Sequence, residues 1–415
     1  MIHRITHHAK RYKHHYTIST LVIILGLCAF FYMNSGCSEN PTSKGVTAKA
    51  SWKVVGMRGF SAGTAEGTSL YIYNGTPYVA YKDLGNGSRA TVMKYSGTSW
   101  EAVGIPGFSA GTADYISLYV YSGTPYVAYK DEGNSSRAMV MKYNGTSWGA
   151  VGTTTGLSAG TASFISLYVY NGTPYVAYED EVNDNKATVM SFEAGSGTWT
   201  PVGSAGFSTT TVEYTSLYVY NGTPYVAYSD WNFTEEAAPF THPPTYHYGK
   251  PTVMSFEAGS GTWVPVGPAG FSAGIAWGES LFIYNGIPYL ACVDSYSATV
   301  NKYNSLLDTW EAIGDPRFDA FLYCPISLYV YNGHPYVSYS RTQYGPISVG
   351  SHSFAVESYG SVVLTYADTW AEVGSVGFSI GETSFPSVFV YNGIPYVVFP
   401  DSGRNSKATV MKYSP

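Results

Sequence analysis

Seven positions in the chain stand at one place in a repeated pattern, just before runs such as Ser69-Leu70-Tyr71-Ile72-Tyr73. There the copies disagree. They read Glu66, Asp114, Ser163, Glu213, Trp277, Cys324 and Ser384, and the next column reads Gly67, Tyr115, Phe164, Tyr214, Gly278, Pro325 and Phe385. Two or three residues later a serine is fixed in every copy (Ser69, Ser117, Ser166, Ser216, Ser280, Ser327, Ser387). Carboxylates beside aromatic rings suit a cationic or carbohydrate ligand, and two suitably spaced carboxylates suffice for glycoside hydrolysis. The candidate ligand-binding residues are therefore Glu66, Asp114, Tyr115, Phe164, Glu213, Tyr214 and Trp277, with Trp231, which opens an insertion.

Other chemistry is sparsely represented. Beyond residue 36 the histidines are His242, His247, His334 and His352, with no HExxH, paired-cysteine spacing or Gly-x-Ser-x-Gly elbow. No cofactor or metal is expected. Asp83, Asp131, Asp180, Asp230 and Asp401 are each followed by Arg89, Arg137, Lys186, Lys250 or Lys407. This spacing predicts a structural carboxylate–cation pair across one hairpin. Asp294 lacks its cation and Arg341 replaces the next Asp, so a pair between these two is expected. Cys292 and Cys324 are candidates for a disulfide, which an exported chain permits.

The elements that must position these residues are repeats. A Trp recurs at Trp52, Trp100, Trp148, Trp199, Trp263, Trp310 and Trp370, each followed within four residues by Val-Gly or Ile-Gly. Between them the chain repeats Ser-Leu-Tyr-Val-Tyr, an Asn-Gly turn, Thr-Pro-Tyr-Val-Ala-Tyr and Ala-Thr-Val-Met-Lys-Tyr. Each segment reads as a strand, and Asn-Gly supplies the positive φ of a tight hairpin. Four antiparallel strands repeated seven times predict an all-β fold, a seven-bladed β-propeller of 28 strands. The lone Trp strand at 51–56 is expected to close the last blade, hiding two sheet edges. Short hairpins occupy one face. The other collects the variable crossovers and two insertions, 231–248 and 342–359, read as long irregular loops.

The composition agrees. Forty Tyr and 45 Gly with only 12% charged residues report one repeat copied seven times, with tyrosines packed between stacked blades. An acidic balance excludes nucleic acid as a partner. The first forty residues are set apart: Arg4, Lys10, Arg11 and Lys13 precede an apolar run at 21–33, then Ser35-Gly36-Cys37. This pattern resembles a bacterial lipoprotein signal, which implies lipidation of Cys37. Residues 1–36 read as signal peptide or anchor, 37–50 as linker and 51–415 as propeller. Removing 1–36 leaves 18 basic against 28 acidic residues, a net charge of −10.

The repeat resembles the kelch type, with an aromatic second strand (Pro77-Tyr78-Val79), a third strand ending at Tyr95 and Trp100 opening the fourth. The kelch diglycine is absent; Ala80-Tyr81-Lys82-Asp83 stands there. The resemblance implies a non-enzymatic interaction scaffold. The expectation is thus an exported, lipid-anchored monomer at the cell envelope or outside it. It would bind a protein or a cell-surface polymer or glycan through the insertion-bearing face, and touch the membrane only through its N-terminal lipid or anchor. A lectin-like propeller is the alternative, ahead of a polysaccharide hydrolase or lyase.

Overall fold

The computed structural model describes residues 50–236, 245–294, 297–315, 318–319, 325–349, 352–375, 378–379 and 383–414. Cys37 and the whole N-terminal segment, like Cys324, lie outside the described residues.

The chain forms seven four-stranded antiparallel sheets arranged as the blades of a propeller. Blade one shows the plan: Ala65–Tyr73, Thr76–Asp83, Arg89–Tyr95 and Trp100–Ala102, from the axis outward. The first strand is buried between neighbouring blades, so its two faces are both bulky. Asn74, Asn171, Asn221, Asn285, Asn332 and Asn392 all take positive φ at the first hairpin, as does Ser122 in blade two. The N-terminal strand Ser51–Val54 pairs with Lys407–Ser414, Trp52 lying opposite Tyr413, and completes blade seven.

Among the described residues there are 29 strands rather than 28, because Phe318–Asp319 adds a short edge to blade five. The described residues of the insertions form strands rather than irregular loops. In blade four the second and third strands lengthen into Thr223–Glu236 and Thr245–Glu257, and in blade six His334–Val349 pairs along His352–Tyr366. Continuing an existing ladder satisfies the inserted backbone without new partners.

The repeated Asp residues do not pair across the hairpin. Asp83 and Asp131 are 1% exposed, too buried for a solvated ion pair. Asp83 accepts from Gly85 N–H and Asn86 Nδ2, capping the turn Leu84–Asn86. Asp131 adds bonds from Ala110 and Gly111 N–H, clamping the crossover. Asp401 does meet a cation, but it is Arg58 at 3.3 Å, beside the closing strand. Asp294 accepts from Ala273 and Gly274 N–H, while Arg341 pairs with Glu372 at 2.8 Å. A buried carboxylate gains more from several aimed N–H donors than from one exposed cation.

Each Val-Gly or Ile-Gly pair after a Trp packs under the next blade's Trp. Gly104 has φ +73, and a Cβ there would meet Trp148 Cδ1 and Tyr143 Cε2 at 3.0 Å. Gly149, on the same strand as that Trp, has open space. Gly104→Ala is expected to cost about 2 kcal/mol and Gly149→Ala under about 0.5 kcal/mol. Urea unfolding compares them; equal losses would refute the packing account.

Candidate functional site

The first strands of five blades break register before the fixed serine, between Glu66 and Ser69, Asp114 and Ser117, Ser163 and Ser166, Glu213 and Ser216, and Trp277 and Ser280. Such a bulge re-aims one side chain per blade. The re-aimed residue has positive φ: Gly67 +57, Tyr115 +53, Phe164 +50, Tyr214 +53, Gly278 +72. Phe385 adopts the same conformation at +49. Glycine adopts it freely, whereas a bulky aromatic is strained by roughly 1–3 kcal/mol. Four blades keep an aromatic there nonetheless.

These residues surround a cavity of about 720 Å³ at the axial mouth, on the face that carries the insertions. Of the predicted residues, Glu66, Asp114, Tyr115, Phe164 and Tyr214 line it. Tyr115, Phe164 and Tyr214 form an arc, with ring centroids 5.0 and 4.8 Å apart. Thr215 Oγ1 donates to the Phe164 carbonyl, tying one bulge to the next blade. Glu213 stands beside the cavity and acts on it through its charge. Trp277 packs instead against the core between blades five and six. Trp231 sits at the register break within the second strand of blade four, its backbone N–H donating to the Thr211 carbonyl; neither Trp lines the cavity. Cys292 is a buried free thiol against the Thr299 hydroxyl.

Four further residues complete the site. Lys82 and Lys130 stand opposite Glu66 and Asp114 in register, and Glu179 opposite Ser163. Their signal was one column of strand two, Lys82, Lys130, Glu179, Ser229, that changes charge from blade to blade. Glu279 is the fourth: an acid where other copies carry Thr68, Ile116, Ile165 or Thr215.

The electrostatics are uneven around the ring. Lys82 Nζ bridges Asp114 at 2.9 Å and Glu66 at 3.4 Å. Burial works to lower its pKa, but those two carboxylates outweigh it and hold the ammonium above its ordinary value. Lys130 Nζ lies over the Tyr115 ring, 5.7 Å from its centroid. Burial and then the charge of Glu213 push Glu179 up to about 7, with Lys130 opposing. Burial likewise raises Glu213 and takes Tyr214 to about 12. Glu279 is 7% exposed and lines the cavity. Its Oε1 accepts from Ser229 Oγ at 2.7 Å, while Oε2 finds no hydrogen-bond partner among the described residues. Burial pushes its carboxyl up to about 8, against the Ser229 bond. Glu279 at the mouth and Glu179 beside it are therefore both raised toward neutrality, a range of protonation suited to acid–base work. Among the described residues no His, Cys, Asp and Glu cluster is placed to hold a metal ion.

No protein-family model matches the chain, so the kelch resemblance gains no support. No curated protein matches it in sequence. Solved structures do share the fold. A polysaccharide lyase of a new family, PL25 ulvan lyase, bound to -[GlcA(1-4)Rha3S]-, is similar with TM-score 0.57 and 12% identity, over 86% of this chain and 94% of that one. A second structure of that lyase matches at 0.57 and 11% over the same shares. Polysaccharide lyase Uly1 matches at 0.50 and 10%, over 84% and 89%. The expectation of a non-enzymatic scaffold is corrected on this finding. It rested on the kelch resemblance, whereas these propellers, matched over most of their own length, are lyases.

Glu279 also sets a pH dependence of stability. A carboxyl raised on folding binds its proton more tightly in the folded state, so its contribution is undiminished below the unfolded value. Stability is then lost as pH rises toward about 8. Glu279→Gln removes the ionisation, and its melting temperature is expected to fall less than the wild type's between pH 5 and 8.5. Parallel profiles by differential scanning calorimetry would contradict the burial of an ionisable carboxyl.

Proposed function

We propose that this chain is a polysaccharide-degrading enzyme whose active site is the axial mouth, and that it cleaves a uronate-containing chain by β-elimination. The observation that carries the reading is the aromatic arc and Lys130 lining one cavity, with Glu179 beside it and coupled to Lys130 by charge. The fold it shares with polysaccharide lyases supports it.

The arc offers ring faces on which sugar rings stack. Lys130, poised over Tyr115, neutralises the uronate carboxylate and so acidifies the adjacent C5–H. Glu179, with its pKa raised to about 7, is a stronger base than an ordinary carboxylate yet is substantially ionised at neutral pH. It takes the C5 proton. The C5–H electron pair becomes the C4=C5 double bond, and the C4–O4 pair leaves on oxygen, which takes a proton from an acid of the mouth. The products are an unsaturated uronate and a new chain end. A Glu279 carboxyl that is protonated at neutrality also spares an anionic substrate the repulsion of a fully charged mouth.

The N-terminal segment completes the reading. Its basic stretch, apolar run and Cys37 fit export and attachment to the cell envelope, where a polymeric glycan is encountered. Mass spectrometry of the mature N-terminus checks this: a lipidated Cys37 is expected, and an unmodified start elsewhere excludes it.

Turnover is tested on a panel of uronate-containing and neutral polysaccharides, following the ultraviolet absorbance of the unsaturated product. Glu179→Gln is expected to lower kcat/KM by roughly 10²–10⁴ while the fold is retained, and Lys130→Met to act mainly on uronate substrates. New reducing ends without absorbance would mean hydrolysis instead. A wild type inert on the whole panel would sink the enzyme reading.

A further inference from the structure

Resting on that reading, we infer that Glu279 is the proton donor to the leaving oxygen, a catalytic acid supplied by blade five alone. The inference starts from geometry. Glu279 is the residue after the Gly278 bulge and lines the cavity. Ser229, from the neighbouring blade, holds Oε1 at 2.7 Å. That leaves Oε2, buried and without a partner among the described residues, to carry a proton. A buried carboxyl oxygen left unsatisfied is costly unless a ligand meets it, and the cavity is where a ligand would be.

The surroundings favour the neutral form. The ionisable groups that act on Glu279, or feel its charge, are Glu213 and Tyr214 on the first strand of blade four and Cys292 on the second strand of blade five; Asp294 lies further along that strand and acts on the same thiol. All are acidic groups, so none of these stabilises a carboxylate. The phenols of the arc are the competing donors. Tyr214 is pushed up to about 12 and Tyr115 is raised by burial despite a bond with Ser163, so both yield a proton less readily than a carboxyl near 8.

In the step, the Glu279 Oε2–H bond breaks as the C4–O4 bond breaks. The proton joins the departing O4, and its bonding pair stays on Glu279 as carboxylate. Glu179 has meanwhile accepted the C5 proton, so charge is conserved, and exchange with water returns both groups to their starting forms. Wild-type kcat/KM should therefore trace a bell, rising as Glu179 ionises near 7 and falling as Glu279 ionises near 8.

Glu279→Gln keeps the shape and the Ser229 contact but cannot donate a carboxyl proton. The expected result is a loss of at least about 10²-fold on the natural polysaccharide and disappearance of the alkaline limb. On a uronoside with fluoride at C4, which departs without prior protonation, activity should stay within about tenfold of wild type. Ser229→Ala removes a bond to the carboxylate form and should move the alkaline limb to higher pH while the acidic limb stays. Equal losses on both substrates, or an unmoved alkaline limb in both variants, would overturn the assignment while leaving the enzyme reading intact. A wild type that cleaves nothing shows failure of that reading instead, and of this one with it.

Discussion

One hydrogen bond, made seven times, holds the ring together. The indole N–H of each outer-strand Trp donates to the carbonyl of the Val or Ile that follows the preceding blade's Trp: Trp100 to Val55, Trp148 to Val103, Trp199 to Val151, Trp263 to Val202, Trp310 to Val266, Trp370 to Ile313 and Trp52 to Val373. The distances lie between 2.6 and 2.8 Å. The last of these joins the N-terminal strand, which completes blade seven, to blade six, so the circuit closes on itself. A net contribution of about 1 kcal/mol per bond is modest. Its leverage comes from direction: an indole pinned at both its N–H and its ring face fixes the rotation of one blade against the next. The ring face is pinned too, since Phe60, Phe108, Phe207, Phe271 and Phe378 stack on five of the seven Trp rings at 4.0–4.6 Å.

Nearer the axis a second circuit repeats the logic. Each fixed serine accepts from a backbone N–H of the next blade, from Leu118 N to Ser69 Oγ around to Leu70 N to Ser387 Oγ. Inside it, Tyr71, Tyr119, Tyr168, Tyr218, Phe282, Tyr329 and Phe389 form a closed aromatic collar with centroids 4.7–5.1 Å apart. Because serine, collar and Trp carry the inter-blade constraints, the residues just above the collar are released from structural duty. That release is what allows them to differ, and a rigid frame beneath is what lets a strained aromatic persist there.

The frame was readable from the chain because repetition amplifies weak signals: seven Trp, seven Pro-Tyr pairs and seven serines at one offset need no fine propensity to interpret. Five of eight proposed site residues also fall at the cavity, because the column that varied was the column at the mouth. What escaped was everything decided by direction. Asp83 next to Arg89 reads as an ion pair, yet its carboxylate turns inward to cap a turn, since backbone N–H groups converge there. Trp277 reads as a mouth residue, but its large apolar ring packs into the core between blades five and six, whereas the polar Glu66 and Asp114 of the same column face the cavity. Lys130 and Glu179 were hidden inside a motif that looked constant. Glu279 differs from its equivalents by a single letter, and only its burial makes that letter matter. The insertions at 231–248 and 342–359 read as loops because Pro and Gly residues such as Pro243, Pro244, Gly345 and Pro346 interrupt the strand pattern, although their described residues extend an existing ladder.

A symmetric ring is a poor catalyst, because acid–base chemistry needs two groups of opposite protonation at one place. The chain breaks its symmetry with few substitutions. Blades one and two put lysines opposite acids, and the Lys82 bridge to Glu66 and Asp114 leaves that side ionised and polar. Blade three replaces the lysine with Glu179, which burial and then the charge of Glu213 on blade four raise in a partly dry site. Blade five goes further, trading Thr or Ile for Glu279 in a position that has lost almost all its water. The mouth thus runs from an ion-paired side to a buried acid, through burial and neighbouring charge alone. In the reaction proposed above, separating the protonation states of two carboxyls in this way lets one supply a base and the other an acid at the same pH. The repeated frame provides the rigidity, and the few positions at which the blades differ provide the proposed chemistry.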